Sequence, residues 1–327
     1  MKISDIAREA GVSNSTVSFY INGHSKKYKI SEKTCQKIEA VIRKYNFVPN
    51  IYARAMQTHQ TFLIGLIIPG DVNRSYWIDV ISGAEEALFP HKYHLLLSVS
   101  HFNQADELET VKFMHSKGVD GYLYAPLVSD RGITPAEEFL LNQCGRKPVI
   151  CLGREHSKFP SVYNDERAGA EAAARCFLEH GHRRAAYLGH YQEKYDLRGK
   201  AFCEYFRGNG GEVSVFEHTD EALEHAGDFT CIFCYSDYFL LDFYVKGGRR
   251  GLRIPDDISV IGYDYMSFLE FLQPQPVSLI TTKKEIGKFA GDMMMRMLSE
   301  PEYKFAGRKF IPELSGGGSV RSISETP

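Results

Sequence analysis

The chain has 327 residues, of which 24% are charged and 43% are hydrophobic. This length supports two or three domains with sizeable cores, and the composition excludes an intrinsically disordered chain. The net charge of -2 conceals an asymmetry, because residues 1–60 contain ten Lys and Arg against four Asp and Glu. That segment therefore carries +6 and the remainder carries -8. A basic segment on an acidic body favours a polyanion such as nucleic acid as partner, although charge alone also fits a solvated basic face.

Neither export nor a membrane segment is indicated. The N-terminal stretch "MKISDIAREA" is charged throughout and lacks the apolar core of a signal peptide, and the most apolar run, "FLIGLIIP", has the length of a strand. The seven cysteines are scattered, which is typical of a reduced intracellular protein. We therefore expect an intracellular protein that has no membrane partner.

One pair of cysteines has the spacing of a metal site. Cys231 and Cys234 form a CxxC motif inside the apolar run "FTCIFCYSD", but no second pair or suitably spaced His completes a ligand set. We predict that both are strand residues, and we predict neither a metal nor a cofactor.

The first 58 residues have the pattern of helices. "ISDIAREAG" has apolar residues at helical spacing and stops at Gly11, and "SNSTVSFYING" begins at a Ser that can cap a helix. A third helix, "SEKTCQKIEAVIRKYNF", follows another Ser cap and should bury Ile38, Val41, Ile42 and Tyr45. A weakly helical connector, "IYARAMQTHQ", comes after Pro49.

From residue 62 the pattern changes to apolar strands that alternate with amphipathic helices, which predicts parallel sheets with helices on both faces. The region is long enough for two such sheets, and ligands usually bind at the carboxyl ends of parallel strands. The strand candidates are 62–68, 94–100, 121–124, 148–152, 185–188, 213–216, 230–234 and 258–261.

The first two helices, joined by "AGVS", have the proportions of a helix-turn-helix motif. The second helix of that motif enters the major groove, and its first residues meet base edges. Asn14, Ser15 and Thr16 would then face the groove, while Val17 and Ile21 pack behind them. Taken alone, the same stretch also fits a helix of an ordinary core.

Longer motifs resemble the lactose-repressor (LacI/GalR) family of bacterial transcription regulators nearly end to end. The stretches that carry the resemblance are "ISDIAREAGVSNSTVSFYING", "PNIYARAMQT", "IGLIIP", "GVDGYLYAP", "LEHGHRRAAYLG", "IPDDISVIGYD" and "ITTKKEIGKFAGDMM". The resemblance implies an N-terminal all-α helix-turn-helix headpiece, a hinge, and an α/β core of two doubly wound parallel-sheet subdomains like those of periplasmic sugar-binding proteins. It also implies a homodimer on a near-palindromic double-stranded DNA operator, in the bacterial cytoplasm and associated with the nucleoid.

The resemblance also sets the expected domain boundaries. The headpiece would span 1–48 and the hinge helix or linker 49–60. The core would span 61–327, with subdomain one at about 61–160 and 281–309 and subdomain two at about 161–280 and 310–327. Between Phe202 and Phe229 the chain is shorter than in most relatives, so one strand–helix unit of subdomain two is expected to be trimmed.

The expected hinge contacts follow from the match to the family's "YxPNxxARxLxT" pattern. Met56 stands where similar proteins wedge an apolar side chain between base pairs in the minor groove. Ala53 would allow two hinge helices to pack closely, and Arg54 would reach a phosphate or the minor-groove floor. Asn50 is the remaining hinge residue expected to contact DNA. Because so short a helix is unstable alone, its folding should depend on DNA and the partner hinge.

In the headpiece, the resemblance assigns DNA contacts to Asn14, Ser15, Thr16, Ser18 and Phe19. Phe19 stands where relatives usually have Arg or His, so a guanine contact is missing there. Two roles remain open for its ring: contact with a thymine methyl group, or cover for the headpiece core.

The loop "HSKKYKI" is longer and more basic than is typical of the family. We interpret Lys26, Lys27 and Lys29 as phosphate contacts, with solvent-exposed lysines as the alternative.

The resemblance also places an effector site in the core. Asp165, Arg198 and Asp264 would supply charge-assisted hydrogen bonds, which suit a polyhydroxylated ligand. A structural salt bridge between Arg198 and one Asp is the competing interpretation. Further positions come from "NRSYWIDVISG", "CYSDYF" and "YNDERAGA". Tyr76 and Trp77 match the family's aromatic pair, Ser236 replaces an Asn, and Glu166 replaces the Asn that follows the position of Asp165. Core packing is the alternative for either aromatic ring.

We therefore predict a ligand-responsive, sequence-specific DNA-binding regulator that represses carbohydrate-utilisation genes. The alternative is a regulator of the same family that responds to a nucleobase or nucleoside corepressor. We predict no enzymatic activity. In similar proteins the segment of His182 and Arg183 is a helix-to-strand turn, and the sequence has no Ser-His-acid or phosphate-loop pattern. The absence of a leucine-heptad tail after the last core segment favours a dimer over a tail-assembled tetramer.

Overall fold

The computed structural model describes residues 2–47, 60–70, 75–128, 132–143, 147–190, 196–302 and 305–323. The chain forms two compact units, Met1–Thr61 and Phe62–Pro327. Each unit is described separately below.

Three helices build the described part of the N-terminal unit: α1 (Ile3–Ala10), α2 (Asn14–Ile21) and α3 (Glu32–Lys44). The predicted caps are present, since the Ser13 hydroxyl accepts a hydrogen bond from the Thr16 amide at 3.1 Å and Ser31 accepts one from Thr34 at 3.2 Å. Gly11 ends α1 at φ 66°, a left-handed conformation that glycine adopts without a steric penalty.

The apolar cluster of this unit joins all three helices. Its buried members are Ile6, Ala7, Ala10, Val17, Ile38 and Val41. The prediction that Tyr45 belongs to the buried face of α3 was wrong, because Tyr45 is 46% exposed. The helix ends at Lys44, so Tyr45 no longer follows its periodicity.

The second unit contains two six-stranded sheets within the described residues. The first has the order β11-β5-β4-β3-β1-β2, and the second has the order β12-β10-β9-β8-β6-β7. All neighbouring strands run parallel except β12, which is antiparallel to β10. The strands are β1 (Leu63–Ile68), β2 (His94–Val99), β3 (Gly121–Tyr124), β4 (Val149–Leu152), β5 (Ser161–Asn164), β6 (Arg184–Leu188), β7 (Glu212–Phe216), β8 (Cys231–Cys234), β9 (Ser259–Asp264), β10 (Val277–Ile280), β11 (Arg308–Phe310) and β12 (Glu313–Leu314).

Helices cover both faces of each sheet, so apolar clusters lie on either side. The helices are α4 (Ser75–Leu88), α5 (Gln104–Ser116), α6 (Pro135–Gln143), α7 (Glu166–Glu179), α8 (Leu197–Gly208), α9 (Thr219–Glu224), α10 (Asp237–Arg249) and α11 (Lys283–Ser299), with short 3₁₀ turns at Phe89–His91 and Ser267–Phe271. This arrangement confirms the predicted fold class.

Two glycines allow α4 and α11 to pack backbone against backbone. A Cβ atom at Gly83 would collide with the Lys284 carbonyl, and one at Gly287 would collide with the Val80 carbonyl. Glycine is therefore the only residue that fits either position without moving one of the two helices.

The eight predicted strands are all present, with small differences at their ends. The sequence pattern did not predict β5, β10, β11 and β12, which are four residues long or shorter. Because β5 pairs with β4, the first sheet extends along the chain to Asn164 before the chain enters the second sheet. The strand–helix unit expected to be trimmed is present in short form, as β7 followed by the six-residue α9.

Cys231 and Cys234 lie in β8, as predicted, and both are fully buried. In the described ranges, no three His, Cys, Asp or Glu side chains converge in a way that would hold a metal ion. None of the helices in these ranges has the length and apolar character needed to cross a bilayer.

Candidate DNA-binding surface and effector cleft

The outer face of α2 carries the short polar side chains predicted to meet DNA. Asn14 and Ser15 are exposed, and Thr16 and Ser18 are half-buried. On the opposite face Val17 is fully buried in the apolar cluster. The helix therefore separates a polar face from a packed face, as the groove-facing interpretation requires.

Hydroxyl groups are concentrated at the N-terminus of α2. The Ser13 oxygen lies 2.8 Å from the Thr16 hydroxyl and 3.0 Å from the Ser15 hydroxyl. The first amides of a helix carry partial positive charge, so this end of α2 suits contact with phosphate or with base acceptors.

Phe19 is half-buried, and its ring stacks on Tyr28 of the basic loop. The centroids are 3.6 Å apart and the planes differ by 9°. The buried cluster of the unit draws on other positions of α2, namely Val17 with Tyr20 and Ile21 packed against it. The ring thus lies beside the cluster and against the loop rather than over the core, and its contact with a thymine methyl group stays a prediction.

The lysines predicted to contact phosphate are exposed. Lys26, Lys27 and Lys29 belong to the same turn as Tyr28, and Lys29 has φ 51°. The Lys27 amine lies 5.8 Å from the centre of the Tyr28 ring. None of the three forms an ion pair with a carboxylate in the part of the chain that the structure describes. The hinge positions Asn50, Ala53, Arg54 and Met56 lie outside the described residues.

A cavity of about 220 Å³ lies within the second unit, between its two sheets. Several of its residues lie at or just after the carboxyl ends of strands β1, β4, β8 and β9, where ligands of parallel sheets usually bind. The lining consists of Pro69, Gly70, Tyr76, Trp77, Phe102, Gly153, Glu166, Arg198, Tyr235, Ser236, Tyr238, Asp264 and Met266.

Five of the six residues predicted to bind the effector line this cavity: Tyr76, Trp77, Arg198, Ser236 and Asp264. The sixth, Asp165, lies outside the lining.

Asp165 instead caps α7. Its carboxylate accepts a hydrogen bond from the Ala168 amide at 3.1 Å and pairs with Lys309 at 2.8 Å. The next residue, Glu166, faces the cavity in its place. In the sequence Glu166 stood out only as a replacement for the family's Asn, and this change of charge was the signal that marked it.

Arg198 is the centre of the polar side of the cavity and is only 7% exposed. It donates two hydrogen bonds to Glu166 Oε1, at 2.9 and 3.2 Å, and one to the Tyr235 carbonyl at 2.8 Å. Asp264 Oδ1 lies 3.6 Å from the same guanidinium. Arg198 therefore forms a buried ion-paired cluster, and its principal partner is Glu166 rather than an Asp.

Aromatic rings form the opposite side. Tyr76 and Trp77 meet edge to face with centroids 5.2 Å apart. Burial, reinforced by the charge of Asp264, raises the pKa of Tyr76 well above its ordinary value, so its hydroxyl stays a neutral donor at physiological pH. Phe102 packs against Gly70, where a side chain would collide with its ring.

The backbone that presents Asp264 is strained. Asp264 and Tyr265 have φ values of 99° and 48°, a region that non-glycine residues rarely adopt. The Lys283 amine holds the turn by donating to the Asp264 carbonyl at 2.7 Å, and Asp237 accepts a hydrogen bond from the Met266 amide at 2.8 Å. Neither of these supports was predicted from the sequence.

His182, the residue considered for acid catalysis, is fully buried. Its ring nitrogens lie 2.8 Å from the Thr230 hydroxyl and 3.1 Å from the Arg321 carbonyl, and burial lowers its pKa to about 4. The imidazole is therefore a neutral structural link between β6 and the C-terminal segment.

Comparison with known proteins accounts for both units. Residues 2–50 match the sequence profile of bacterial regulatory proteins of the lacI family, and residues 174–320 match that of the periplasmic binding protein-like domain. The chain belongs to the LacI family. Its members are transcription regulators rather than enzymes, and this chain is accordingly a DNA-binding transcriptional repressor of the LacI family.

Two relatives illustrate the breadth of the family. The HTH-type transcriptional repressor PurR of Photobacterium profundum is 27% identical over 342 residues, which cover 98% of this chain and 99% of that protein. Catabolite control protein A of Priestia megaterium is 27% identical over 315 residues, which cover 91% of each.

Solved structures show the same fold. The lac repressor dimer bound to operator and the anti-inducer ONPF superposes with a TM-score of 0.86 at 18% identity, covering 98% of this chain and 99% of that chain. A LacI-family regulator from Silicibacter pomeroyi gives 0.84 at 21% identity with the same coverage.

Proposed function

We propose that the protein is a ligand-responsive repressor, with a DNA-binding headpiece at 1–48, a hinge at 49–60 and an effector-binding core at 61–327. It would act as a homodimer on a near-palindromic operator in the bacterial cytoplasm. The observation that supports ligand control is the cavity between the two sheets. A ligand held there contacts both subdomains at once and favours whichever arrangement it binds better.

A carbohydrate is the first candidate effector, and carbohydrate-utilisation genes are the corresponding target. Tyr76 and Trp77 offer ring surfaces for a sugar face. The oxygens of Glu166 and Asp264 can accept hydrogen bonds from sugar hydroxyls.

A nucleobase is the second candidate. Five aromatic residues, Tyr76, Trp77, Phe102, Tyr235 and Tyr238, line a cavity of only about 220 Å³, which suits one planar ring system. Relatives that match along nearly their whole length carry the name PurR, which supports this alternative.

The experiment begins with the genomic fragments that the purified protein retains, since a shared near-palindrome would define the operator. Trp77, the only Trp in the chain, then reports ligand binding through its fluorescence. An effector should change Trp77 emission and operator affinity together, and the sign of the affinity change identifies an inducer or a corepressor. A ligand that alters emission without altering operator affinity would contradict the regulatory role of the cavity.

Two variants separate the DNA and effector functions. Met56→Gly should weaken specific operator binding and leave the Trp77 response intact. Arg198→Ala should abolish the Trp77 response while operator binding persists, because it removes the cation that holds Glu166 and Asp264 in place in the cleft. Loss of both activities in Met56→Gly would refute the hinge assignment, and an undiminished response in Arg198→Ala would remove that residue from the site.

A further inference from the structure

We propose that the effector cleft selects a small ligand that carries no negative charge and presents hydrogen-bond donors to Glu166 and Asp264. Phosphorylated sugars, nucleotides and carboxylates are therefore excluded as effectors. The inference rests on the proposed effector role of this cavity. It adds a chemical class that follows from Glu166, the residue that departs from the family pattern.

Three of the five N–H groups of Arg198 donate hydrogen bonds within the protein. Its Nε and Nη2 atoms bond to Glu166 Oε1 and its Nη1 atom bonds to the Tyr235 carbonyl. The guanidinium carbon lies 3.8 Å from the centre of the Tyr263 ring and 4.8 Å from that of the Tyr235 ring. Two aromatic rings, the Glu166 carboxylate and the Tyr235 carbonyl thus surround the guanidinium, so Arg198 has little capacity left to clamp a ligand phosphate or carboxylate.

The carboxylate oxygens, in contrast, have acceptor capacity to spare. Both hydrogen bonds from Arg198 end on Oε1 of Glu166, and Oε2 forms none with the described residues. Asp264 Oδ1 is buried without a hydrogen-bond donor in the same part of the chain, with only the guanidinium 3.6 Å away. Buried acceptors without donors are costly, and a ligand N–H or O–H group would satisfy them.

The charge balance of the cleft is negative. The described lining contains one cation, Arg198, and two anions, Glu166 and Asp264, so its formal charge is -1. Beside the lining, the Lys283 amine donates to the Asp264 carbonyl at 2.7 Å and the Asp237 carboxyl group accepts from the Met266 amide at 2.8 Å, so these two groups add no net positive charge when Asp237 is ionised. An anionic ligand would enter a partly desolvated site that already has a surplus of negative charge.

The size of the cavity also favours a small ligand over a nucleotide. A volume of about 220 Å³ lies below the ~300–1,000 Å³ of sites for drug-sized ligands. A single sugar ring or one nucleobase matches this volume, whereas a nucleotide is too large and carries negative charge.

The charge of the cleft can be tested without any ligand, because Trp77 is the only Trp and lines the cavity. The full-length protein is titrated with caesium, iodide and acrylamide, and each quenching constant is divided by that of free N-acetyltryptophanamide. We expect the normalised caesium constant to exceed that of iodide by about twofold or more, since a negative site concentrates cations. Equal constants, or a larger one for iodide, would overturn the proposal.

Matched variants assign the effect to the cleft. Glu166→Gln keeps an acceptor for Arg198 and removes one charge, so it should bring the two constants together. Asp264→Asn provides a second route to the same charge change if Glu166→Gln does not fold. Glu212→Gln, an exposed position at the start of β7, should leave the ratio as in the wild type. A ratio that moves equally in Glu212→Gln would show a general surface effect and refute the assignment.

A second measurement compares ligands that differ by a phosphorylated group. Glucose is paired with glucose 6-phosphate, and guanine with guanosine 5′-monophosphate, with Trp77 emission as readout. We expect each phosphorylated member to bind about tenfold or more weakly, or not detectably, as one unpaired charge at ~10 Å would require. Tighter binding of either phosphorylated member would overturn the inference, whereas failure of every ligand to alter operator affinity would contradict only the proposed regulation.

Discussion

Phe19 and Tyr28 stack face to face, with ring centroids 3.6 Å apart and planes 9° from parallel. The two residues come from the two headpiece features that depart from the family pattern, the recognition helix and the long basic loop. The stack therefore links the two headpiece segments that differ from the family pattern. Tyr28 is 47% exposed, so the stack forms part of the surface beside the polar face of α2.

The stacked pair predicts that Tyr28 sets the position of Phe19 on DNA. Tyr28→Ala should weaken binding to the operator by about two- to tenfold, the range expected when one aromatic pair is removed. Fluorescence anisotropy with the labelled operator measures the change. Tyr45→Ala is a matched control, because Tyr45 is equally exposed in the same unit, at 46%. Equal losses in the two variants would argue against a specific role for the stack.

The loop lysines predict a steep dependence of DNA binding on salt. Replacing Lys26, Lys27 and Lys29 together with Gln should reduce the slope of log K against log salt by about 0.9 for each phosphate that is no longer neutralised, and therefore by up to about 5 for a dimer. Affinity measured at several salt concentrations provides the slope. An unchanged slope would identify the three side chains as solvent-exposed lysines that do not touch DNA.

The close backbone packing of α4 and α11 predicts a large effect of one added methyl group. Gly287→Ala forces a Cβ atom into the Val80 carbonyl and should lower the free energy of unfolding by about 2 kcal/mol or more. Gly248→Ala, in α10, is the control, since a Cβ atom there meets nothing within 4 Å. It should be neutral or stabilising by up to about 1 kcal/mol. Urea denaturation of both variants measures the change in the free energy of unfolding.

Asp237 predicts a pH dependence of stability. Burial, together with the charge of Asp264, raises its pKa to about 7. The folded state thus binds the proton more tightly than the unfolded state. The stability that results is complete below about pH 4 and is lost as the pH rises through about 7, by up to about 1.4 kcal/mol per pH unit.

The test is urea denaturation between pH 5 and pH 8 for the wild type and Asp237→Asn. The wild type should lose stability across this range relative to the variant, which cannot ionise. Asn keeps one acceptor for the Met266 amide or the Ser278 hydroxyl, the two donors that Asp237 bonds in the wild type. Parallel pH profiles would show that the carboxyl group does not titrate in this window.

The local sequence pattern was enough to predict the helices of the headpiece and the alternation of strands and helices in the second unit. Capping by Ser13 and Ser31 depends on residues three positions away, so sequence alone predicts it. The eight predicted strands were equally visible, because each lies in an apolar run bounded by helical or turn patterns. The four short strands were missed since two to four residues carry too little periodicity, and their pairing depends on neighbours distant in the chain.

Family resemblance identified five of the six effector positions that line the cleft, but only the tertiary structure decided what those positions do. Asp165 became a helix cap because its carboxylate turns back to the Ala168 amide, and Glu166, the first residue of the helix, faces the cavity in its place. The ion pairing of Arg198 and the stack of Phe19 on Tyr28 likewise join segments that are separate in sequence. Capping and periodicity are encoded locally, whereas charge balance and ring stacking arise only when the packed chain brings distant residues together.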